Sequence, residues 1–201
     1  YRTGFSYLYS VFGKEAKELH TPLNKSIDKS KLDILEQMIE KNINSPLSSS
    51  CGRLFDAVAA ITGLCPVSAY HAQAPMKLEA EIREESCQKY DYDIIGKIIS
   101  FDKMIKQIAE DVNKFSPSAI SVKFHNTIIS VIFEVSKMIR NRKKINKVVL
   151  SGGSFQNRYL TEKAAKMLKN DNFEVYTHSK VPPNDGGLAL GQMAVASKRR
   201  I

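Results

Sequence analysis

The chain has no C-x-x-C pair, no H-x-x-x-H pair, no N-terminal signal pattern and no uninterrupted apolar run long enough for a bilayer. Its three cysteines, Cys51, Cys65 and Cys87, leave an odd count, which argues against a disulfide framework and against a structural zinc site. Reduced, mostly buried thiols are expected. None of His20, His71, His125 and His178 has a second histidine at metal-binding spacing, so His125, on a mostly apolar helix, reads as a hydrogen-bonded core residue. The longest apolar segment, Ala119 to Ile139, is interrupted by Lys123, His125, Glu134 and Lys137 and reads as a buried helix, not a membrane span. A cytoplasmic protein with no membrane partner is the expectation.

What is present is a globular composition. With 201 residues, 43% hydrophobic and 25% charged, the chain can bury a real core as one domain or two tightly joined lobes. The net charge of +9 raises the question of nucleic acid. Its distribution answers it: the basic residues gather at Arg140-Asn141-Arg142-Lys143-Lys144 with Lys147, and at Lys198-Arg199-Arg200, without the interleaved aromatics of a single-strand platform. The first cluster follows a helix, where cations complement the negative end of the dipole. A solvated, helix-terminating cluster is the favoured reading, and contact with tRNA or DNA the minority one.

Along the chain, Tyr7 to Phe12 has helical apolar spacing that Gly13 breaks, and it begins in mid-pattern, as if inside a larger polypeptide. Residues 20–29 read as a polar loop and 31–42 as an amphipathic helix. Ser48 to Gly63 then gives a buried helix with serine caps at its start, an apolar face of Leu54, Val58 and Ile61, and Gly63 where a left-handed C-terminal cap belongs. Arg53 and Asp56, three positions apart near its N-terminal end, are not explained by packing. Either they form an ion pair worth ~0.2–0.5 kcal/mol or they face a cleft; the local sequence favours neither. Pro75 marks a further helix start, a hairpin is expected around Gly96, and helices are expected over 101–112 and beyond Pro117. The remainder alternates strand 147–151, helix from about 155, strand 173–177, turn 181–187 and helix 188–198, which implies a partly parallel sheet.

Two glycine pairs punctuate that last segment: Leu150-Ser151-Gly152-Gly153-Ser154-Phe155-Gln156-Asn157 and Val181-Pro182-Pro183-Asn184-Asp185-Gly186-Gly187. A glycine pair between a strand and a helix offers free N–H groups, the positive end of a dipole and no Cβ to keep an anion away. One such pair is better read as a tight turn. Two, one followed by Asn157 and the other preceded by Asp185, point to a nucleotide or phosphate site.

Together with Ser49-Ser50-Cys51-Gly52-Arg53-Leu54-Phe55-Asp56-Ala57-Val58-Ala59-Ala60, and with Gly191-Gln192 after the second pair, these motifs resemble the C-terminal part of the hydrogenase-maturation carbamoyltransferase HypF, in its lobe related to the tRNA threonylcarbamoyl-transfer protein TsaD. The resemblance covers nearly the whole chain. It implies an α/β fold of the actin-like, sugar-kinase-like ATPase class, with a helix-rich part over 1–118 and a nucleotide-binding α/β part over 119–201. It further implies that carbamoyl phosphate and ATP are made into a carbamoyl-adenylate, whose carbamoyl group this lobe helps pass to the C-terminal cysteine of HypE. That group becomes the source of the cyanide ligands of NiFe hydrogenase.

Residue by residue, the resemblance implies that Gly152, Gly153 and Asn157 lie at the nucleotide with Gly63 beside it. Asp185 is implied as a ligand of a divalent metal ion, and Arg53 and Asp56 as catalytic residues of the cleft. The family's Tyr-Glu-Gly-Gln-Ala-Ala-Met stands here as Tyr70-His71-Ala72-Gln73-Ala74-Pro75-Met76. The family's paired metal-binding histidines and its acylphosphatase-like, zinc-finger and adenylate-forming regions lie upstream of these motifs, so a piece of a longer chain is expected. The alternatives are a small-metabolite kinase of the same superfamily and a non-enzymatic module that binds tRNA or a maturation partner.

Overall fold

The computed structural model describes residues 1–199, so Arg200 of the basic tail lies outside them. The chain divides into two compact units, Tyr1–Thr127 and a second from Ile128 onward. Among the described residues no helix is long and apolar enough to cross a membrane.

The first unit is helical. It contains α1 (Arg2–Phe12), α2 (Pro22–Ser26), α3 (Lys29–Glu40), α4 (Cys51–Ile61), α5 (Gln73–Ala80), the strands β1 (Asp93–Ile95) and β2 (Ile98–Ser100), α6 (Asp102–Asp111) and the start of α7 (Pro117–Lys143). Its centre is α4, which buries Leu54, Phe55, Val58 and Ile61 together with Ala57, Ala59 and Ala60. Small residues let α1 approach closely: a Cβ on Gly4 would lie 3.0 Å from the Ala60 Cβ. Ser50 caps α4, its hydroxyl accepting the Arg53 N–H at 3.4 Å, and Gly63 leaves the helix at φ +78°. The hairpin around Gly96 forms as expected, antiparallel with Ile95 opposite Ile98 and Gly96 at φ +63°.

Three local expectations need correction. Residues 20–29 are not all loop, because Thr21 accepts the Asn24 N–H and Pro22 occupies the first turn, a start signal that nucleates α2. The helix at Pro75 begins two residues earlier, at Gln73, and tolerates the proline because first-turn N–H groups have no helical partner. The thiols are not mostly buried: Cys51 and Cys87 are exposed and only Cys65 is enclosed.

His125 is a core residue, as expected. It is fully buried, its Nδ1–H donates to the Ser121 carbonyl at 2.8 Å, and its ring meets Phe55 and Phe124 edge-on at 5.3 and 5.5 Å. Nearby, the Asp111 carboxylate accepts from Tyr90 Oη at 3.0 Å and pairs with Lys123 Nζ at 2.5 Å. The lysine also sits 4.3 Å from the Tyr90 ring centroid.

The second unit holds the rest of α7, then β3 (Lys147–Leu150), α8 (Arg158–Asn170), β4 (Glu174–Thr177) and α9 (Leu188–Arg199). β3 and β4 pair in parallel, Lys147 opposite Glu174 and Leu150 opposite Thr177, with α8 as the crossover that parallel pairing requires. Leu160, Ala164 and Leu168 of α8 are buried. Arg140, at the end of α7, is consumed structurally: its guanidinium donates to the Asp171 carbonyl at 2.7 Å, pairs with the Asp171 carboxylate and stacks 3.9 Å from the Phe173 ring centroid. The basic cluster there is therefore in part a helix-ending clamp. α9 buries none of its side chains, leaving Leu188, Leu190, Met193 and Val195 exposed.

Candidate functional site: a cleft at the carboxyl ends of two parallel strands

Parallel strands connected by a helix open a crevice where their carboxyl ends meet the following loops, and both glycine motifs lie there. Ser151 follows β3 and His178 follows β4, and the register that sets Leu150 opposite Thr177 brings this next pair side by side. Ser151 Oγ and His178 Nε2 are hydrogen-bonded at 2.8 Å. Gly152 then turns at φ +108°, a conformation only glycine adopts without strain, and its N–H donates to the Pro183 carbonyl at 2.8 Å. That single bond fastens the first glycine motif to the second.

The second motif is rigid for its own reasons. Asn184 Oδ1 accepts the Gly186 N–H at 3.0 Å, and the Gly187 N–H returns to the Asn184 carbonyl at 3.0 Å. A Cβ on Gly187 would stand 2.8 Å from the Pro182 carbonyl oxygen, so this pair is required by close backbone packing. Asn184 is thus the capping side chain. Asp185, the next residue, is left exposed, and its carboxylate makes no hydrogen bond or ion pair among the described residues.

Between the motifs lies an open cleft of about 850 Å³ whose walls include Ser151, Gly152, His178, Asn184, Asp185 and Gln192, with Arg199 contributing a cation. The structure brings Gly152 and Asp185 together here. Gly153 and Asn157 are not among the lining residues. Gly153 opens a single 3-10 turn, Gly153–Gln156, that separates the glycine pair from α8, so the helix does not begin at about 155 as the sequence suggested. It begins at Arg158 because Asn157, nearly buried, caps it, accepting the Leu160 N–H at 2.7 Å. The N–H groups of Gly153 and Ser154 make no protein hydrogen bond among the described residues, and a Cβ on Gly153 would meet nothing within 4 Å.

The other expected site residues belong to the first unit. Arg53 Nη1 lies 3.3 Å from Asp56 Oδ2, so the i,i+3 ion pair forms, with the arginine side chain 63% exposed. Burial raises the Asp56 carboxyl above the usual carboxylate range, and the Arg53 guanidinium partly offsets this. Gly63 has a structural reason for being glycine, since besides its positive φ a Cβ would lie 2.8 Å from the Pro22 Cβ.

No group of three or more His, Cys, Asp or Glu side chains that could enclose a metal ion occurs among the described residues. A single free carboxylate at the cleft fits a hard cation of the Mg²⁺ type, which keeps its waters and is held by one or two carboxylates together with substrate phosphates. Sequence reasoning passed over Ser151 as a site residue and set His178 aside; the signal for both was their equivalent position immediately after two strands that pair in parallel.

A sequence profile described as "Carbamoyltransferase, Kae1-like Domain, second subdomain" matches residues 1–192. The chain belongs to this family, the carbamoyltransferases HypF. It is 33% identical over 168 residues to carbamoyltransferase HypF of Rhodobacter capsulatus, a match covering 83% of this chain and 22% of that protein. It is 30% identical over 189 residues to the probable carbamoyltransferase HypF of Methanocaldococcus jannaschii, covering 93% and 24%. The chain therefore spans about a quarter of the length of these HypF relatives. A crystal structure of full-length HypF in its phosphate- and nucleotide-bound form superposes with a TM-score of 0.90 at 40% identity, over 98% of this chain and 26% of that one. The HypF of T. kodakarensis, at 21% identity and a TM-score of 0.79 over 94% of this chain, shares the fold.

Proposed function

We propose that this chain is the nucleotide-holding part of an ATP-dependent carbamoyltransferase of hydrogenase maturation. The observation that carries the reading is the Gly152 N–H to Pro183 carbonyl bond, which joins two glycine motifs into one cleft at the carboxyl ends of parallel strands. Beside the cleft, in the turn that follows its wall at Gly152, the N–H groups of Gly153 and Ser154 receive phosphate oxygens, and Asn157 caps the helix after that turn; in the first unit Gly63 fixes the exit of α4. Asp185 contributes the carboxylate for a divalent cation, which would neutralise phosphate charge. A full-length HypF solved with phosphate and nucleotide supports the choice of ligand.

The reaction we assign to the longer polypeptide is transfer from carbamoyl-adenylate, made from carbamoyl phosphate and ATP, to the C-terminal cysteine of a HypE-like acceptor. The acceptor thiolate attacks the carbamoyl carbon, a C–S bond forms, the C–O bond to the adenylate phosphate breaks, and AMP leaves with the electron pair. Preorganised N–H groups at the phosphate stabilise that leaving group. Arg53 adds positive charge and Asp56, its carboxyl raised by burial, takes the S–H proton of the acceptor cysteine as the attacking thiolate forms.

The test is mass spectrometry of the acceptor cysteine after incubation with ATP, carbamoyl phosphate and the polypeptide carrying this chain. The native protein adds one carbamoyl group. Gly153→Val, whose Cβ meets no protein atom within 4 Å and would stand in the phosphate's place, folds normally and loses nucleotide affinity and transfer together. Equal nucleotide affinity in a folded Gly153→Val variant overturns the reading.

A further inference from the structure

Ser151 and His178 are separated by 27 positions in sequence, lie on different elements and meet at one spot on the wall of the cleft. Helix capping explains Asn157 and Asn184, and backbone packing explains Gly187. Neither explains this pair, because both side chains are exposed and neither is a cap. It is also placed beside the Gly152 turn, with Ser151 two residues before the first of the amides proposed to receive phosphate.

The hydrogen-bonding capacity of the two groups restricts what the pair can do. A serine hydroxyl has one proton to donate and can accept as well, whereas a neutral imidazole has one donor and one acceptor nitrogen. When an anion occupies the cleft, the Ser151 proton is best used on it, and Oγ must then accept from His178 Nε2–H. The result is a donor chain, imidazole N–H to hydroxyl to anion, in which each bond polarises the next. The Asp185 carboxylate lines the same cleft, so an anion there needs such donors in addition to the Arg199 cation.

We propose that Ser151 binds a phosphoryl oxygen of the nucleotide directly and that His178 is its positioning residue, fixing the hydroxyl rotor through Nε2–H. The proposal rests on the nucleotide reading of the cleft and names two residues which that reading does not require. Ser151 contributes a hydrogen bond to a charged group, for which removal costs roughly 10-fold or more in affinity. His178 acts only through Ser151, so its removal has a smaller effect and none once Ser151 is gone.

The experiment is calorimetric titration of AMP-PNP with Mg²⁺ into the full-length polypeptide and its Ser151→Ala, His178→Ala and double variants, with circular dichroism confirming the fold. The expected result is a loss of about 10-fold for Ser151→Ala, a lesser loss for His178→Ala, and no further loss in the double variant than in Ser151→Ala alone. His178→Gln, which can present an N–H at the same reach, restores part of the affinity. In the native protein, nitrogen-15 NMR of His178 shows the Nε2–H tautomer enriched on adding nucleotide, a signature that a merely structural histidine would not give. Additive losses in the double variant, or unchanged affinity in His178→Ala, overturn the proposal. If Gly153→Val abolishes binding while both single variants bind normally, the pair is dismissed and the cleft stands. If the native protein binds no AMP-PNP, the cleft and the pair fall together.

Discussion

Replacing Asp185 by Asn separates the proposed ligand role from a capping role, because the structure gives the cap to Asn184 and leaves the Asp185 carboxylate without a partner among the described residues. Asn184 caps the turn through its bond to the Gly186 N–H, so Asn184→Ala removes a cap worth about 1 kcal/mol (~0.5–2). For a domain of this size that is a fall in Tm of about 2–4 °C. The Asp185 carboxylate has no protein partner among the described residues, and exposed substitutions of this kind stay within about 0.5 kcal/mol, so Asp185→Asn without ligand shifts Tm by less than about 2 °C. With nucleotide and Mg²⁺ the order reverses. Ligand at 100 times its Kd stabilises the native state by about 2.7 kcal/mol, or roughly 5–11 °C. If loss of the formal charge weakens binding about 100-fold, the same concentration is only about one Kd and the stabilisation shrinks to about 0.4 kcal/mol, below 2 °C. Thermal unfolding of the polypeptide carrying this chain, with and without AMP-PNP and Mg²⁺, reads both numbers. A full ligand-induced shift in Asp185→Asn would refute the metal role.

Other consequences concern the first unit. Asp111→Ala leaves the Lys123 ammonium without its carboxylate at a site where both side chains are less than a fifth exposed, and strips Tyr90 Oη of its acceptor. Denaturant unfolding should show a loss of about 3–5 kcal/mol, and a loss under about 1 kcal/mol would mean the pair is solvated. Burial lowers the His125 pKa from 6.5 to about 4, so between those values the unfolded chain binds a proton that the native one does not. Its contribution is complete above pH 6.5 and is lost as pH falls towards 4, about 3 kcal/mol in all. His125→Gln should flatten the stability profile over that window, and an unchanged slope would exclude His125 as its source. Gly63→Ala forces a left-handed alanine against Pro22 and should cost at least about 1–2 kcal/mol, whereas a neutral result would show that the α4 exit relaxes freely.

Much of this architecture was legible because its causes are local. The Ser50 cap, the apolar face of α4 and the positive φ of Gly63 are separated by one short helix, and sequence pattern reads such spans well. The same holds for the Gly96 hairpin and for the strand, helix, strand order that led to the parallel pairing of β3 and β4. Misreadings arose where two local signals compete for adjacent positions. Asn157 could have lain one turn inside a helix or at its cap, and its bond to the Leu160 N–H decides for the cap. Asn and Asp are nearly equal caps, so nothing in the order Asn184-Asp185 says which of them closes the turn. Only the bond to the Gly186 N–H does.

The candidate site was legible as two motifs but not as a cleft. A glycine pair states that the backbone turns sharply; it does not state what the turn touches. The Gly152 N–H reaches Pro183 across about 30 residues, a partnership set by where β3 and β4 end and not by the residues of either motif. His178 is the sharper case. Judged by sequence spacing, it has no second histidine at metal-binding distance and is set aside on that ground. In a parallel pair, however, residues at equal distance past the two strand ends become neighbours whatever their separation in the chain. Register, not spacing, is the quantity that identifies Ser151 and His178 as partners, and it is available only once Leu150 is known to face Thr177. The proposed joint role of the two glycine motifs depends on the same register: Ser151, Gly152 and Asp185 line one cleft only if β3 and β4 keep it. A one-residue slip would put His178 beside Leu150 and leave Ser151 without its partner at the mouth of the cleft.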